Sequence, residues 1–195
     1  LVGFDSPLRN QRTNGLFFIG EFGMNFLEKD LEEIIFTTDK NELGKRGLPF
    51  HNKSRLLRQK KIGNYGVADL IEVRRPFYHI EYRELIKGEI TVFELKQEKI
   101  GISAFLQALR YLKGIQSYLE KRKKDHYFNY SITLVGKSID LNSSYAYLAD
   151  FTNLQEDVLL YHNSGFCLRN FTYRYDFDGI WFDDQCSFSL KHEGF

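Results

Sequence analysis

Several features that mark special classes of protein are scarce or absent in this 195-residue chain. It has two cysteines. Cys167 and Cys186 make no Cys-x-x-Cys pair and sit near no histidine cluster. That argues against a zinc site and predicts two reduced, buried thiols. The five histidines, His51, His79, His126, His162 and His192, are scattered, with no pair at metal-ligand spacing. The formal net charge is only +1, too little for a protein that coats DNA by bulk attraction. A nucleic-acid surface would have to come from local clustering. No apolar run approaches the ~20 residues that a membrane span needs, and no stretch reads as a signal peptide. The expectation is a cytoplasmic protein with no membrane partner. A Gly-rich phosphate loop and the serine elbow of esterases are both missing, which argues against an NTPase or an esterase. There is no internal repeat and no proline-rich linker, so one domain over 1–195 is expected.

What is present is a globular make-up, 43% hydrophobic and 27% charged. Eighteen Phe and twelve Tyr predict an aromatic-rich core, with some rings left exposed for binding. Periodicity predicts a helix over 24–36, capped by Asn25, with Phe26, Leu27, Leu31, Ile34 and Ile35 on one side. Residues 39–54 read as a basic loop whose charge continues through Arg58, Lys60 and Lys61. Solvated surface and nucleic-acid contact both suit it. Residues 66–73 read as a strand, 74–88 as an extra strand or projecting hairpin, and 89–96 as the central strand. The longest helix is expected over 103–123, capped by Ser103. Its apolar face would carry Phe105, Leu109, Leu112 and Leu119, with Gln107, Tyr111, Gly114 and Tyr118 on a separate stripe. Strands at 130–135 and 158–162, a helical turn within 145–151 and a hairpin turning at Asp178-Gly179 complete the chain. The expected class is α/β, a mixed central β-sheet flanked by helices. Its core would occupy about 25–135, with 1–20 as a lead-in and 136–195 adding C-terminal strands and a hairpin.

The stretch richest in chemistry is 89–111. A strand carrying Glu94-Leu95-Lys96 places an acid and an ammonium on one face. The helix after it places Gln107 and Tyr111 one turn apart. Upstream, Asp69 sits among apolar neighbours in a strand, which is costly unless a cation compensates it. Hydrolysing a phosphodiester needs a cation for the phosphate, an activated water and stabilisation of the developing charge. Asp69 and Glu94 could supply two oxygen ligands for a hard divalent metal, and the Leu95 carbonyl could add a third. Glu28, on the first helix, could hold the metal through a water. Lys96 would orient the attacking water, help deprotonate it or stabilise developing charge. Gln107 and Tyr111 would fix the substrate phosphate or the metal-bound water.

The ordered set Glu28 … Asp69 … Glu94-Leu95-Lys96 … Gln107-Ala-Leu-Arg-Tyr111 resembles the PD-(D/E)XK nuclease superfamily. The Gln-x-x-x-Tyr element is similar to the branch holding RecB-type and lambda-exonuclease-type nucleases. The runs Leu27-Glu28-Lys29-Asp30-Leu31-Glu32, Gly66-Val-Ala-Asp69 and Phe93-Glu-Leu-Lys96 resemble the archaeal mismatch-endonuclease family. The likeness covers roughly residues 25–120. It implies a restriction-endonuclease-like core, bound magnesium or manganese, and a lysine that assists the water. It further implies hydrolysis of nucleic acid, DNA before RNA, in repair or in defence, by a homo-oligomer or a larger complex. Two departures stand out: Ala68 replaces the proline of the motif, and the long gap before Glu94 makes 74–88 an insertion.

Other readings stay open at this level. Asp69, Glu94 and Lys96 could form a surface salt bridge, and Gln107 and Tyr111 a packed helix face. Glu32 or Glu33 could stand in for Glu28. The chain could also be a binding or scaffold protein that has lost turnover, or an RNA-directed nuclease or toxin.

Overall fold

A computed structural model describes residues 27–146 and 167–185. Asn25, Cys186 and the strand expected over 158–162 lie outside them. In chain order the elements begin with α1 (Glu28–Thr37), α2 (Lys40–Lys45), β1 (Arg55–Lys61), a 3-10 turn (Gly63–Tyr65) and β2 (Val67–Arg74). Then come β3 (Phe77–His79), β4 (Glu84–Ile86), β5 (Gly88–Leu95), β6 (Lys99–Ile100) and α3 (Ile102–Glu120). A second 3-10 turn (Asp125–Tyr127), β7 (Phe128–Gly136), β8 (Ser138–Ile139), β9 (Cys167–Asp176) and β10 (Gly179–Asp184) follow.

The mixed α/β architecture is present. Six strands form one sheet in the order β1-β2-β5-β7-β9-β10. The central pairs β5·β7 and β7·β9 are parallel, and the outer pairs are antiparallel. The parallel step from β5 to β7 needs a crossover, and α3 supplies it. β5 reads Gly-Glu-Ile-Thr-Val-Phe-Glu-Leu and is buried along almost its whole length, as a central strand covered on both faces must be. Ile90 and Val92 pack under α3 with Ala108, Tyr111, Leu112, Ile132 and Leu134. Phe93 and Leu95 face the other way, with Leu31 and Ile35 of α1, Leu43 of α2, and Phe171. Helices thus cover both faces. No helix among the described residues is long and apolar enough to cross a membrane.

Several boundaries differ from the sequence expectation, each for a local reason. The described part of the first helix begins at Glu28, where the Asp30 carboxylate accepts the Leu27 N–H at 2.9 Å. The region expected as a loop over 39–54 contains α2, because Asp39 accepts the N–H groups of Asn41 and Glu42 and starts a helix. The basic run 55–61 is the edge strand β1 rather than more loop. The longest helix starts at Ile102 without a side-chain cap, so Ser103 does not cap it. Its buried face is centred on Ala104, Ala108, Tyr111 and Leu112, while Leu106 and Leu109 are exposed. Small alanines let the helix lie close to the sheet, so Tyr111 belongs to the core and not to a separate stripe. The last hairpin turns at Phe177-Asp178, since Gly179 already pairs with Asp176. Residues 74–88 do contain a projecting hairpin, β3–β4, whose two strands pair only with each other.

Candidate active site

Along β2 and β5 the ladder runs from Arg74↔Glu89 to Leu70↔Phe93 and stops there. Beyond it lie Asp69 on one strand and Glu94, Leu95 and Lys96 on the other. The Leu95 N–H, which has lost its cross-strand partner, is taken instead by the Asp69 Oδ2 at 3.0 Å. A buried N–H must find an acceptor, so this bond fixes the Asp69 carboxylate beside Glu94. On the far side β5 stays paired to β7, and the Lys96 N–H continues the contact by donating to the Val135 carbonyl at 2.8 Å. The three chemical groups therefore stand at an opening between two strands, with α1 over one face and α3 over the other.

Glu94 is completely buried. Its Oε1 accepts a hydrogen bond from the Lys96 Nζ at 2.8 Å, and its Oε2 is buried with no partner. Glu28 lies 3.8 Å from the same ammonium and is half-exposed. Three acids thus share one lysine. Burial pushes the Glu94 carboxyl up to about 7, and the neighbouring Asp69 adds to that, against the pull of Lys96. Asp69 is raised too, mainly by burial, although the Leu95 N–H and Lys96 oppose the shift. Burial alone would lower the Lys96 pKa. The hydrogen bond to Glu94 and the charges around it outweigh burial, so the ammonium is held above its ordinary value. The surface salt bridge considered for these residues does not describe them, because Glu94 is inside the protein.

Of the acids weighed on α1, Glu28 is the one beside Lys96. Glu32 is buried and bonded by Arg58 and Gln59 of β1, and Glu33 pairs with Arg58. Gln107 and Tyr111 are brought together, with the Gln107 Nε2 2.9 Å from the Tyr111 hydroxyl. No hydrogen bond among the described residues ties this pair to the acids. It lies instead against Gly66, three positions before Asp69. A Cβ at Gly66 would come within 2.8 Å of the Tyr111 ring, and Gly66 has φ +116°. Only glycine serves there.

Among the described residues, no three His, Cys, Asp or Glu side chains gather into a ready-made metal cage. The donors at this opening are two carboxylates, Asp69 and Glu94, with the Leu95 backbone between Glu94 and Lys96. Magnesium commonly takes only one or two carboxylates and fills its other positions with water and substrate phosphate. The unpartnered Glu94 oxygen and the excess of acid over base fit such a cation.

A second polar group was not foreseen from the sequence. A cavity of about 390 Å³ is lined by His51, Glu72, Glu89, Thr91, Ser131 and Arg169, towards the other end of β2 and β5. Its acids are engaged within the protein. Glu72 takes the His51 N–H and the Ser54 hydroxyl, and Glu89 contacts His51 and Arg74. Glu94 differs in keeping a bare buried oxygen. Cross-strand register could have signalled this group, since Glu72, Thr91 and Ser131 are direct neighbours across three strands. Strand order is not legible without the fold.

Compared with protein-family models, curated proteins and solved structures, the chain matches none of them.

Proposed function

We propose that this protein is a metal-dependent nuclease of the PD-(D/E)XK type, with a restriction-endonuclease-like core, that hydrolyses phosphodiester bonds in nucleic acid, DNA foremost. The observation that carries the reading is Glu94: wholly buried, held by Lys96 through one oxygen and bare at the other, beside a second, partly buried acid, Asp69. Such a carboxylate is costly to keep unless a cation meets it. Asp69 and Glu94 would hold a magnesium or manganese ion, which supplies charge for the phosphate and lowers the pKa of a bound water.

The chain's own groups have distinct tasks in this reading. The Asp69–Leu95 bond sets the spacing of the two acids. Lys96 stays protonated, because three acids surround it, and so acts as a positive charge that orients the water and steadies the developing oxyanion. It is not a base in that state. Glu28 balances the Lys96 charge from the open side. The Gln107–Tyr111 pair stiffens the wall formed by Gly66 and α3, against which a substrate phosphate would rest.

The test is a substrate panel. End-labelled single- and double-stranded DNA and RNA are incubated with magnesium, with manganese or with chelator. Cleavage that needs metal supports the reading, and the preferred strand names the substrate. Folded protein that binds nucleic acid but cuts none of the four would instead support a binding or scaffold protein. Cleavage of RNA alone would favour the RNA-directed alternative.

A further inference from the structure

Arg110 stands on α3 just before Tyr111, and its chemistry is not used by the acids and lysine of the site. Its side chain is exposed, yet its place is defined on two sides. The guanidinium carbon lies 5.4 Å from the centre of the Tyr111 ring. Its Nη2 would be 3.4 Å from a Cβ on Gly66. No carboxylate among the described residues pairs with it. On the neighbouring edge strand, Lys61 stands opposite Val67 and Lys60 opposite Ala68. Both lysines are exposed and also have no described carboxylate partner. Ala68 packs under α3, so Lys60 opposite it shares the α3 face with Arg110, whereas Lys61 leaves on the other face. Two cations thus flank the head of β2 on one face, and Asp69 is the residue after Ala68. From Gly66 to Asp69 is ~10 Å along a strand, close enough for one substrate strand to touch both.

The chain's net charge is nearly zero, so an uncompensated cluster is a local feature of this surface and not a reflection of bulk composition. A guanidinium held against an aromatic ring keeps its planar donors in a fixed fork, which suits phosphate oxygens. Lysines at a strand edge add point charges without a geometry of their own. Neither reads bases. We propose that Arg110, with Lys60 beyond it, forms a phosphate-binding track that carries the nucleic-acid backbone past the acids without regard to sequence. This rests on the nuclease reading and adds the path of the substrate to it. Gly66 is part of the track, because any larger residue would push the Tyr111 ring and Arg110 away from β2.

The experiment measures binding and not turnover. Fluorescently labelled single- and double-stranded DNA and RNA are titrated with protein in calcium, over a range of salt, and anisotropy is read. Arg110→Ala should weaken binding roughly tenfold and make the plot of log K against log salt shallower by about one. Arg110→Lys should keep most of the slope but recover only part of the affinity. Lys60→Ala should lower the slope again, whereas Lys61→Ala, on the opposite face of the sheet, should leave it unchanged. Lys121→Ala, ~16 Å further along α3, is the control and should leave it unchanged. Melting curves check that each variant is folded. Wild-type binding with Arg110→Ala unaltered in both affinity and slope would overturn the track and leave the nuclease reading in place. No binding by wild type to any probe at low salt would overturn both.

Discussion

A buried carboxylate needs its charge taken up, and Glu94 has only one of its two oxygens answered. Its folded pKa lies near 7, above the ordinary 4.5. The native state therefore holds the proton more tightly than the unfolded chain does. Below about pH 4.5 this costs nothing. Between there and about pH 7 the stability contributed by Glu94 falls, and above pH 7 the full cost remains, up to ~3 kcal/mol. Glu94→Gln should consequently raise the melting temperature at pH 8 in chelator, and the gain should shrink as the pH is lowered towards 4.5. Thermal melts across that window check it. Lys96→Ala should act in the opposite sense at pH 8, since it strips the one cation from a buried acid. A surface pair would show little effect in either case. Residue identity made the acids and the lysine legible beforehand. It could not show that Glu94 is fully buried or that Glu32 is tied to β1, because both depend on which strands become neighbours.

At the level of elements, the site exists because β2 and β5 part company after Leu70 and Phe93. Gly66 then lets α3 press Tyr111 against the strand that carries Asp69. Gly66→Ala combines a positive φ with a ring contact of 2.8 Å, and should cost more than about 2 kcal/mol. Cleavage should fall with it, and urea unfolding beside the cleavage rate checks the pair of effects. The projecting hairpin β3–β4 behaves differently. It pairs only with itself and exposes Tyr78, Ile80 and Tyr82. Replacing 77–86 by a short glycine turn should shift the melting temperature by less than about 4 °C. The projecting hairpin was readable from the aromatic and charged run between the two strands that carry Asp69 and Glu94. The small helix α2 was not, because its glycines read as loop while its start depends on the Asp39 carboxylate accepting the Asn41 and Glu42 N–H groups. The face of α3 was misjudged for a related reason. Hydrophobic pattern favours leucines, whereas close packing against a sheet selected Ala104, Ala108 and Tyr111.

For the molecule as a whole, a six-stranded mixed sheet between helices holds three acids and one lysine at an opening in its middle. A divalent ion held by Asp69 and Glu94, as the nuclease reading proposes, would couple to folding by mass action. Millimolar magnesium should raise the wild-type melting temperature at pH 8, and chelator should reverse the gain. Asp69→Asn should not respond. Strand alternation and helix periodicity revealed the α/β class. Strand order stayed hidden, since pairing is a property of the folded sheet. The most direct test of the account is the single-turnover cleavage rate of wild type and Lys96→Ala, measured side by side on the best substrate, with magnesium and with chelator. The account predicts a wild-type rate that needs the metal and a loss of at least about a hundredfold in Lys96→Ala. Equal rates for the two proteins, or cleavage that persists in chelator, would contradict it.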